Sequence, residues 1–520
     1  MSRAMGTSGT SGRSVASASV LASLLVMVLG VGVAAAQPVD DWEPPPLLPR
    51  KATPTDATSD AARVAEVPVP TRTFLQKKLV GWVDSRTTGG YVSVTKLLPA
   101  DDTPQLSNLT EANLALTLDL GESARIYGDL SWVWGRGGFF VGDDGNGGRA
   151  EVEAHDVPAA QPGAYISELY TLLRFGEHWN LTLGKKRVVW GTGLAWNPTD
   201  LLNPPKDPTD PTQQRTGSWM ARVEGQYERF SLSLVGAAKA TATVTHPEYM
   251  LGARVYALVA DTDLSAFAFF GNRFNDVFED KLRFGAAFSR VVGESFEVHG
   301  EALVQRGSSR LYVDGSCTAD LVAAAGCVAT GEAVASHSRV DDDAVRLKTL
   351  AGVRYQFGAA ASVSFEYLYN QEGYEKAEFA AFASAMALRK SAAVAGLTLP
   401  AGALPGLPGS SSAADQGGTP QKFAFEPLRR HYLFVTYLHP QLADDFTITT
   451  VLLLGLQDLS GQLAPQLTWS ARQWLNLSVG AFVTLPGASG LGVTTSAGEV
   501  REFQLQPSLW RAFFAARAFF

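Results

Sequence analysis

The chain has 520 residues and a net charge of −8, with 46% hydrophobic and only 18% charged residues. The acidic balance disfavours nucleic acid as a partner, and the sequence shows neither a Cys/His spacing typical of metal sites nor a cofactor-binding glycine loop. After residue 40, no stretch approaches the roughly 20 apolar residues that a membrane helix requires. So apolar a chain must either fill a soluble core or face lipid as a closed β-barrel.

Residues 1–36 are organised like a secretory signal peptide. Arg3 and Arg13 provide the basic segment, residues 20–33 are apolar, and three alanines at 34–36 form a cleavage pattern. We therefore expect the mature chain to leave the cytoplasm. A retained membrane anchor is the alternative.

Residues 37–75 are Pro-rich and mixed in charge. Because such a composition cannot bury a core, it predicts an extended leader. In an exported chain this leader would lie in the periplasm, where it is free to bind a periplasmic partner.

From residue 76 to residue 520, pairs of apolar runs are joined alternately by short polar turns and by long loops rich in Gly, Pro and Asp. In residues 296–305, for example, small or apolar side chains alternate with polar ones, and a period of two indicates a strand. Short turns on one side and long loops on the other are typical of outer-membrane barrels. We predict an all-β fold, a transmembrane antiparallel β-barrel of about 18 strands (16–18) with short periplasmic turns and long extracellular loops.

A soluble all-β protein is the alternative to a membrane barrel. Aromatic residues such as Trp179, Tyr227 and Phe230 stand beside the short turns, where an interfacial girdle is expected. The last strand ends in Phe520, which resembles the terminal signal that outer-membrane barrels present to the barrel-assembly machinery. We therefore expect the outer membrane as location, with its lipid and the assembly machinery as partners.

Residues 184–191 read Gly-Lys-Lys-Arg-Val-Val-Trp-Gly, and Asn-Pro-Thr-Asp-Leu-Leu-Asn-Pro follows at 197–204. This Trp-Gly … Asn-Pro-x-Asp-x-x-Asn-Pro pattern resembles a motif of uncharacterised porin-like β-barrels of Gram-negative bacteria. The resemblance is local. It implies a porin-like barrel and leaves the solute open.

Lys185 and Arg187 share strand parity with Leu181 and Leu183, so an unbroken strand points both cations at lipid. That position is cheap only near a membrane interface. Either the two residues lie at the membrane edge, or Gly184 marks a bulge that turns them inward.

The segment 191–216 is dense in proline, which reduces the entropy that a loop loses on ordering. It can therefore fold into the barrel mouth as a constriction, or form a rigid external cap. Carboxylates beside a low-dielectric wall enrich cations. The candidate constriction residues are Trp190, Asn197, Asp200, Asn203, Asp207 and Asp210.

The polar face of the predicted strands carries charges of both signs, which favours a path for polar solutes. The predicted lumen-facing residues are Lys281, Arg283, Glu297, Glu301, Arg346, Lys348, Arg354, Glu366, Arg511 and Arg517. His299 shares this face with two glutamates. A wet lumen wall explains that grouping better than a metal site.

Two further features belong to the long loops. Cys317 and Cys327 lie in one external loop, where an oxidising compartment favours a structural disulfide over a redox or metal function. Residues 375–392 are Ala-rich with Phe379 and Phe382 at helical spacing, which predicts a short helix in the longest loop.

A barrel of this size encloses a water-filled channel, and no catalytic triad stands out, so we expect no enzyme. Passive, porin-like passage of polar solutes is the favoured function. An export barrel for a secreted polysaccharide and a structural or adhesive surface barrel are the alternatives.

Overall fold

The computed structural model describes residues 79–91, 104–136, 140–143, 149–152, 163–203, 208, 217–238, 248–272, 279–310, 312–318, 322–323, 326–327, 335–336, 343–357, 361–394, 427–443, 445–495, 498–505 and 510–519. The predicted signal peptide, the leader, Asp207, Asp210 and Phe520 lie outside these residues.

The main sheet contains 18 strands. In chain order they are β1 Leu79–Tyr91, β2 Pro104–Asp119, β3 Ala124–Arg136, β4 Gly163–Phe175, β5 Trp179–Lys186, β6 Ser218–Tyr227, β7 Phe230–Ala238, β8 Tyr249–Val259, β9 Thr262–Gly271, β10 Lys281–Val292, β11 Phe296–Arg306, β12 Val345–Phe357, β13 Ala361–Asn370, β14 His431–Leu442, β15 Phe446–Gly455, β16 Gly461–Arg472, β17 Leu475–Leu485 and β18 Trp510–Phe519.

Every strand pairs antiparallel with its neighbours in the chain, and the first and last strands pair with each other. β18 runs against β1 from Trp82↔Phe519 to Tyr91↔Trp510, while the other edge of β1 pairs with β2. The sheet therefore closes on itself and leaves no edge strand. The predicted antiparallel barrel of about 18 strands is confirmed.

The two faces of the wall have opposite character. On β10, Leu282 and Phe284 are 52% and 51% exposed, whereas the intervening Arg283 is only 3% exposed. A soluble β protein turns its apolar face inward, so this arrangement is inverted. An apolar outer face and a polar inner face suit a barrel in a bilayer, as the sequence predicts.

The connections are short at one end of the barrel and mostly long at the other. The short turns include residues 120–123, 176–178, 228–229, 260–261, 293–295 and 473–474, and residues 443 and 445 belong to another. At 260–261, Ala260 and Asp261 both have positive φ (47° and 59°), the geometry of a tight two-residue hairpin. Exposed Trp179, Tyr227, Phe230 and Phe357 stand beside these turns.

Part of the long-loop end is folded into a second hydrophobic core, which we call the cap. It comprises residues 307–310, 312–318, 326–327, 371–394, 427–430, 486–495 and 498–505. Its helix α1 (Lys376–Val394) matches the helix predicted over 375–392, and Phe379 and Phe382 are fully buried in the core. Within the described residues, no helix is long and apolar enough to span a membrane.

The cap also contains the cysteine pair. Cys317 and Cys327 form a disulfide with an S–S distance of 2.06 Å and a Cα–Cα distance of 5.9 Å. Cys317 is buried in the cap core, and Cys327 packs against it. The pair therefore staples the β11–β12 loop beside α1.

Candidate functional site: a loop folded into the barrel

Between β5 and β6 the chain turns into the barrel instead of continuing outward. We call residues 187–203 the inner loop. The side chain of Asn203 joins the two ends of this loop, which we call its neck. Its Nδ2 group donates to the Val188 carbonyl (2.5 Å) and to Asp200 Oδ1 (2.7 Å), and its Oδ1 accepts from the Val188 amide (3.3 Å). Within the loop, the Asp200 amide donates to the Asn197 carbonyl (3.0 Å). That bond closes a β-turn with proline at its second position.

Two tryptophans fix the inner loop to different parts of the inner wall. Trp190 is 1% exposed and lies with its ring centroid 5.8 Å from that of Phe267 and 5.6 Å from that of Phe269, both on β9. Trp196 packs against Tyr432 and Phe434 on β14, at centroid distances of 5.7 Å and 6.2 Å. The inner loop therefore crosses in front of β10 to β13.

Glu301, near the middle of β11, holds the centre of the inner loop. Its carboxylate accepts hydrogen bonds from the Thr192 amide, the Gly193 amide (2.8 Å), the Thr199 amide (3.1 Å), the Thr199 hydroxyl (2.7 Å) and the Asn197 side-chain amide (3.3 Å). Hydrogen bonds to a charged group are the stronger kind. One wall carboxylate thus binds the ascending part of the loop at residues 192–193 and the returning part at residues 197–199.

Glu366 on β13 is the second anchor. Its carboxylate accepts from the amides of Leu194 and Ala195 (2.8 Å for Ala195), and His299 Nε2 lies 2.8 Å from Oε1. His299 fits there because its strand neighbour is Gly352, where an added Cβ would lie 2.2 Å from Nε2. Both glutamates are almost fully buried.

These contacts revise the role of two predicted lumen residues. Glu301 and Glu366 face inward, as expected, but the inner loop covers them and binds their carboxylates. Their charges therefore hold protein backbone rather than face solute. Sequence reasoning missed this, because more than 100 residues separate each glutamate from the amides it binds and no local pattern connects them.

The candidate constriction residues have distinct placements. Trp190, Asn197 and Asn203 lie in the inner loop as described above. Asp200 is also there, but it is 9% exposed and its carboxylate accepts from Asn203. It therefore supports the fold of the loop, whereas Asp207 and Asp210 lie outside the described residues.

Several predicted lumen cations are joined to loops at the long-loop end. Lys281 Nζ lies 2.9 Å from Glu279, and Lys348 Nζ lies 2.5 Å from Glu372 in the cap. Arg283 donates to Gln305 (3.0 Å) and to Ser309 (3.1 Å). These cations tie the wall to the loops above it.

The remaining predicted lumen residues are spread over the wall. Towards the short-turn end, Arg354 pairs with Glu297 at 3.3 Å. The Arg511 guanidinium lies 4.3 Å from the centre of the Phe482 ring. Arg346 and Arg517 are half-buried on β12 and β18. The predicted residues thus form no single cluster.

The inner wall also has a polar sector on β5 to β8 that is not among the predicted lumen residues. Arg222 pairs with Glu224 there. Lys186 lies 4.4 Å above the Tyr170 ring, and the guanidinium of Arg254 donates to Ser265 (3.2 Å). Arg222, Glu224 and Arg254 alternate with small or apolar residues that face outward. The same period-two pattern that identified the other strands marks them as inward-facing.

The structure also resolves the placement of the basic residues 185–187, where β5 passes into the inner loop. Gly184 has a φ of 126°, but the pairing of β5 with β4 and β6 continues across it without a register shift, so it forms no bulge. Arg187 lies just beyond the end of β5 and turns to the inner wall, where its amide donates to Glu168 (2.7 Å) and its guanidinium lies 3.5 Å from the same carboxylate. Lys185 instead donates to the Ile166 carbonyl (2.7 Å) near the end of β5.

No family model matches the sequence, and no curated protein matches it. Solved structures similar to 85% of the chain include OpdK of Pseudomonas aeruginosa with vanillate (7% identity, TM-score 0.44, 99% of that chain) and OccAB3 of Acinetobacter baumannii (10%, 0.44, 98%). A triple mutant of the Rhodopseudomonas blastica porin is another (8%, 0.37, 99%). Function is therefore inferred from the contacts within this chain.

Proposed function

We propose that this chain is an outer-membrane, porin-like channel through which polar solutes pass passively, and that the inner loop is its constriction. The closed 18-stranded wall, apolar outside and polar inside, supports a water-filled passage in a bilayer. By the usual asymmetry of such barrels, the short turns face the periplasm and the long loops face the exterior.

The observation that carries the proposal is the attachment of the inner loop to Glu301 and Glu366. Each buried hydrogen bond to a charged group contributes on the order of 1.5–3 kcal/mol, and these two carboxylates receive several of them. Together with the buried rings of Trp190 and Trp196, they keep the loop across the lumen. A loop held in this way narrows the path.

The inner loop determines the width of the passage, and it contributes less to the charge that a passing solute meets. Glu301, Glu366 and Asp200 all accept hydrogen bonds from the loop itself, so they are poor partners for a passing cation. Charges that do not bind the inner loop lie elsewhere on the wall, among them the sector that carries Lys186, Arg222 and Arg254. That sector mixes both signs, which suits polar solutes in general.

Single-channel conductance in planar bilayers tests the proposal. In the test variant, residues 189–202 are replaced by Gly-Gly-Ser, so that Val188 and Asn203 still meet at the neck. We expect larger conductance and faster entry of larger sugars into proteoliposomes. Asp343→Asn, which removes one partner of an exposed ion pair with Arg306, is the control and should leave both unchanged.

Two results would contradict the proposal. A loop-replaced barrel that folds normally and conducts like the parent would show that the inner loop is not the constriction. If neither the parent nor the variant conducts, the lumen is closed and a structural or adhesive surface barrel becomes the better interpretation.

A further inference from the structure

The loop between β17 and β18 also reaches the lumen, through a short helical turn at Glu502–Leu505. Phe503 in this turn is fully buried and belongs to the same apolar cluster as Trp196 of the inner loop and Tyr432 of β14. The turn and the tip of the inner loop therefore pack together inside the mouth of the barrel. Whatever moves the turn changes the packing around the constriction.

Hydrogen bonds link this turn to Leu428, to Tyr432 on β14, and to the β15–β16 loop. Glu502 Oε1 accepts from the Tyr432 hydroxyl and from the Leu428 amide (2.9 Å). The Glu502 amide donates to Asp458 Oδ2 (2.9 Å), and the Phe503 amide donates to Ser460 Oγ (3.2 Å). Glu502 thus joins the β13–β14, β15–β16 and β17–β18 loops at one point.

The surroundings of Glu502 disfavour a negative charge. Its second oxygen, Oε2, is buried and has no hydrogen-bond partner among the described residues. An added Cβ at Gly455 would lie 3.4 Å from this oxygen and 3.6 Å from Asp458 Oδ1, so the two carboxyl groups lie over the same glycine. A buried, unpartnered carboxylate beside another carboxylate is costly.

Nearby groups oppose this cost only in part. The Arg429 guanidinium acts on Glu502 in the opposite direction to Asp458, and Arg310 reaches the neighbouring Tyr432 hydroxyl electrostatically. Burial is the dominant cause and, with Asp458, raises the pKa of Glu502 to about 7. The carboxyl group is therefore neutral in the docked turn under mildly acidic conditions.

We propose that Glu502 is a protonation-dependent latch: its neutral form keeps the 502–505 turn docked against the inner loop, and its ionised form releases the turn and widens the mouth. The gating part of this inference rests on the proposed channel function. The release itself does not, since it is a local rearrangement of the turn.

The direction of the pH effect follows from the two states of Glu502. In the released turn the carboxyl is hydrated and titrates near its ordinary value of 4.5, whereas in the docked turn its pKa is about 7. Docking is therefore strongest below the lower value and weakens as pH rises, by about tenfold in its equilibrium constant per pH unit until the upper value is reached. Conductance should rise over the same interval.

A nitroxide attached to Gln504→Cys, in the full-length barrel with its disulfide intact, reports docking without reference to conduction. We expect a mobile spectral component that grows between pH 4.5 and pH 7 in the parent. With Glu502→Gln, which keeps the shape and cannot ionise, the label should stay immobile throughout. Glu499→Gln is the matched control. Hydrogen bonds from the Gly492 and Gly490 amides and the nearby Arg501 already hold the pKa of Glu499 below its ordinary value, so this change should leave the response as in the parent.

Conductance of the same three proteins, measured over the same pH range, completes the test. The latch is wrong if the label shows no pH response in the parent, or if Glu502→Gln responds as the parent does. A pH-dependent label in a barrel whose conductance is constant with pH overturns the gating step. A pH-dependent label in a barrel that never conducts supports the latch and refutes the channel.

Discussion

The inner loop and the cap solve the same problem in different ways. Both are long-loop segments that leave regular strands and must stay folded. The inner loop is short, and polar anchors on the wall, Glu301 and Glu366, bind its backbone. The cap is long enough to build its own core around Phe379, Phe382 and Met386. Wall contacts are therefore essential to the inner loop and secondary for most of the cap.

The two regions differ in where their backbone amides and apolar side chains find partners. Buried backbone amides need acceptors, and the inner loop supplies few of its own beyond the turn at Asn197–Asp200. Its position is therefore dictated by the wall. The cap satisfies much of its backbone through α1 and buries apolar side chains against itself, so it can tolerate losses at the wall.

The strongest test of this comparison is Glu301→Ala. Because it leaves the buried amides of Thr192, Gly193 and Thr199 without their acceptor, we expect a local loss of roughly 5 kcal/mol or more in docking of the inner loop. Amide hydrogen exchange of residues 192–199 should accelerate sharply, while the strands and the cap remain protected.

Glu297→Ala is the matched control for Glu301→Ala. Glu297 is on the same strand and face, but it is half-exposed, pairs with Arg354, accepts a long hydrogen bond from Ser289 (3.4 Å) and binds no part of the inner loop in the described contacts. Its removal should cost less than about 1 kcal/mol. Equal effects of the two substitutions would show that the inner loop does not depend on the Glu301 anchor.

The disulfide tests the cap. The bridge closes a sequence separation of 10 residues, and by loop entropy it stabilises the β11–β12 loop by about 3 kcal/mol. With Cys317→Ser and Cys327→Ser together, we expect limited proteolysis within residues 307–344 to become faster while the hydrogen exchange of the inner loop is unchanged. Exchange that accelerates in both regions would mean that the cap and the inner loop form one cooperative unit.

The sequence predicted the barrel because its signals are local. Strand alternation, as at residues 296–305, and turn chemistry, as at Asp261, are read within about ten residues. No such local signal identifies the two anchors of the inner loop. Glu301 and Glu366 show the same alternation as any inward polar residue, and only closure of the barrel brings them to the amides of residues 192–199. The motif from Trp190 to Asn203 likewise marked a rigid loop but could not show which wall it binds.

The smallest expected effect on docking of the inner loop comes from Gly252, a residue of the wall on β8 that contacts the loop. This glycine leaves room for the indole of Trp190, since an added Cβ would lie 3.1 Å from Trp190 Cζ3 and 3.0 Å from a methyl group of Val235. Gly252→Ala should therefore push the indole by a few tenths of an ångström and destabilise loop docking by about 1 kcal/mol, the low end for overpacking. In Gly236→Ala on neighbouring β7 the new methyl group meets only Leu251, at an ordinary 3.5 Å, so it serves as control. Hydrogen exchange of the Thr192 and Gly193 amides should rise a few-fold in Gly252→Ala alone. If this exchange is unchanged, the packing of Trp190 does not contribute to docking of the inner loop, and the carboxylates of Glu301 and Glu366 hold the loop by themselves.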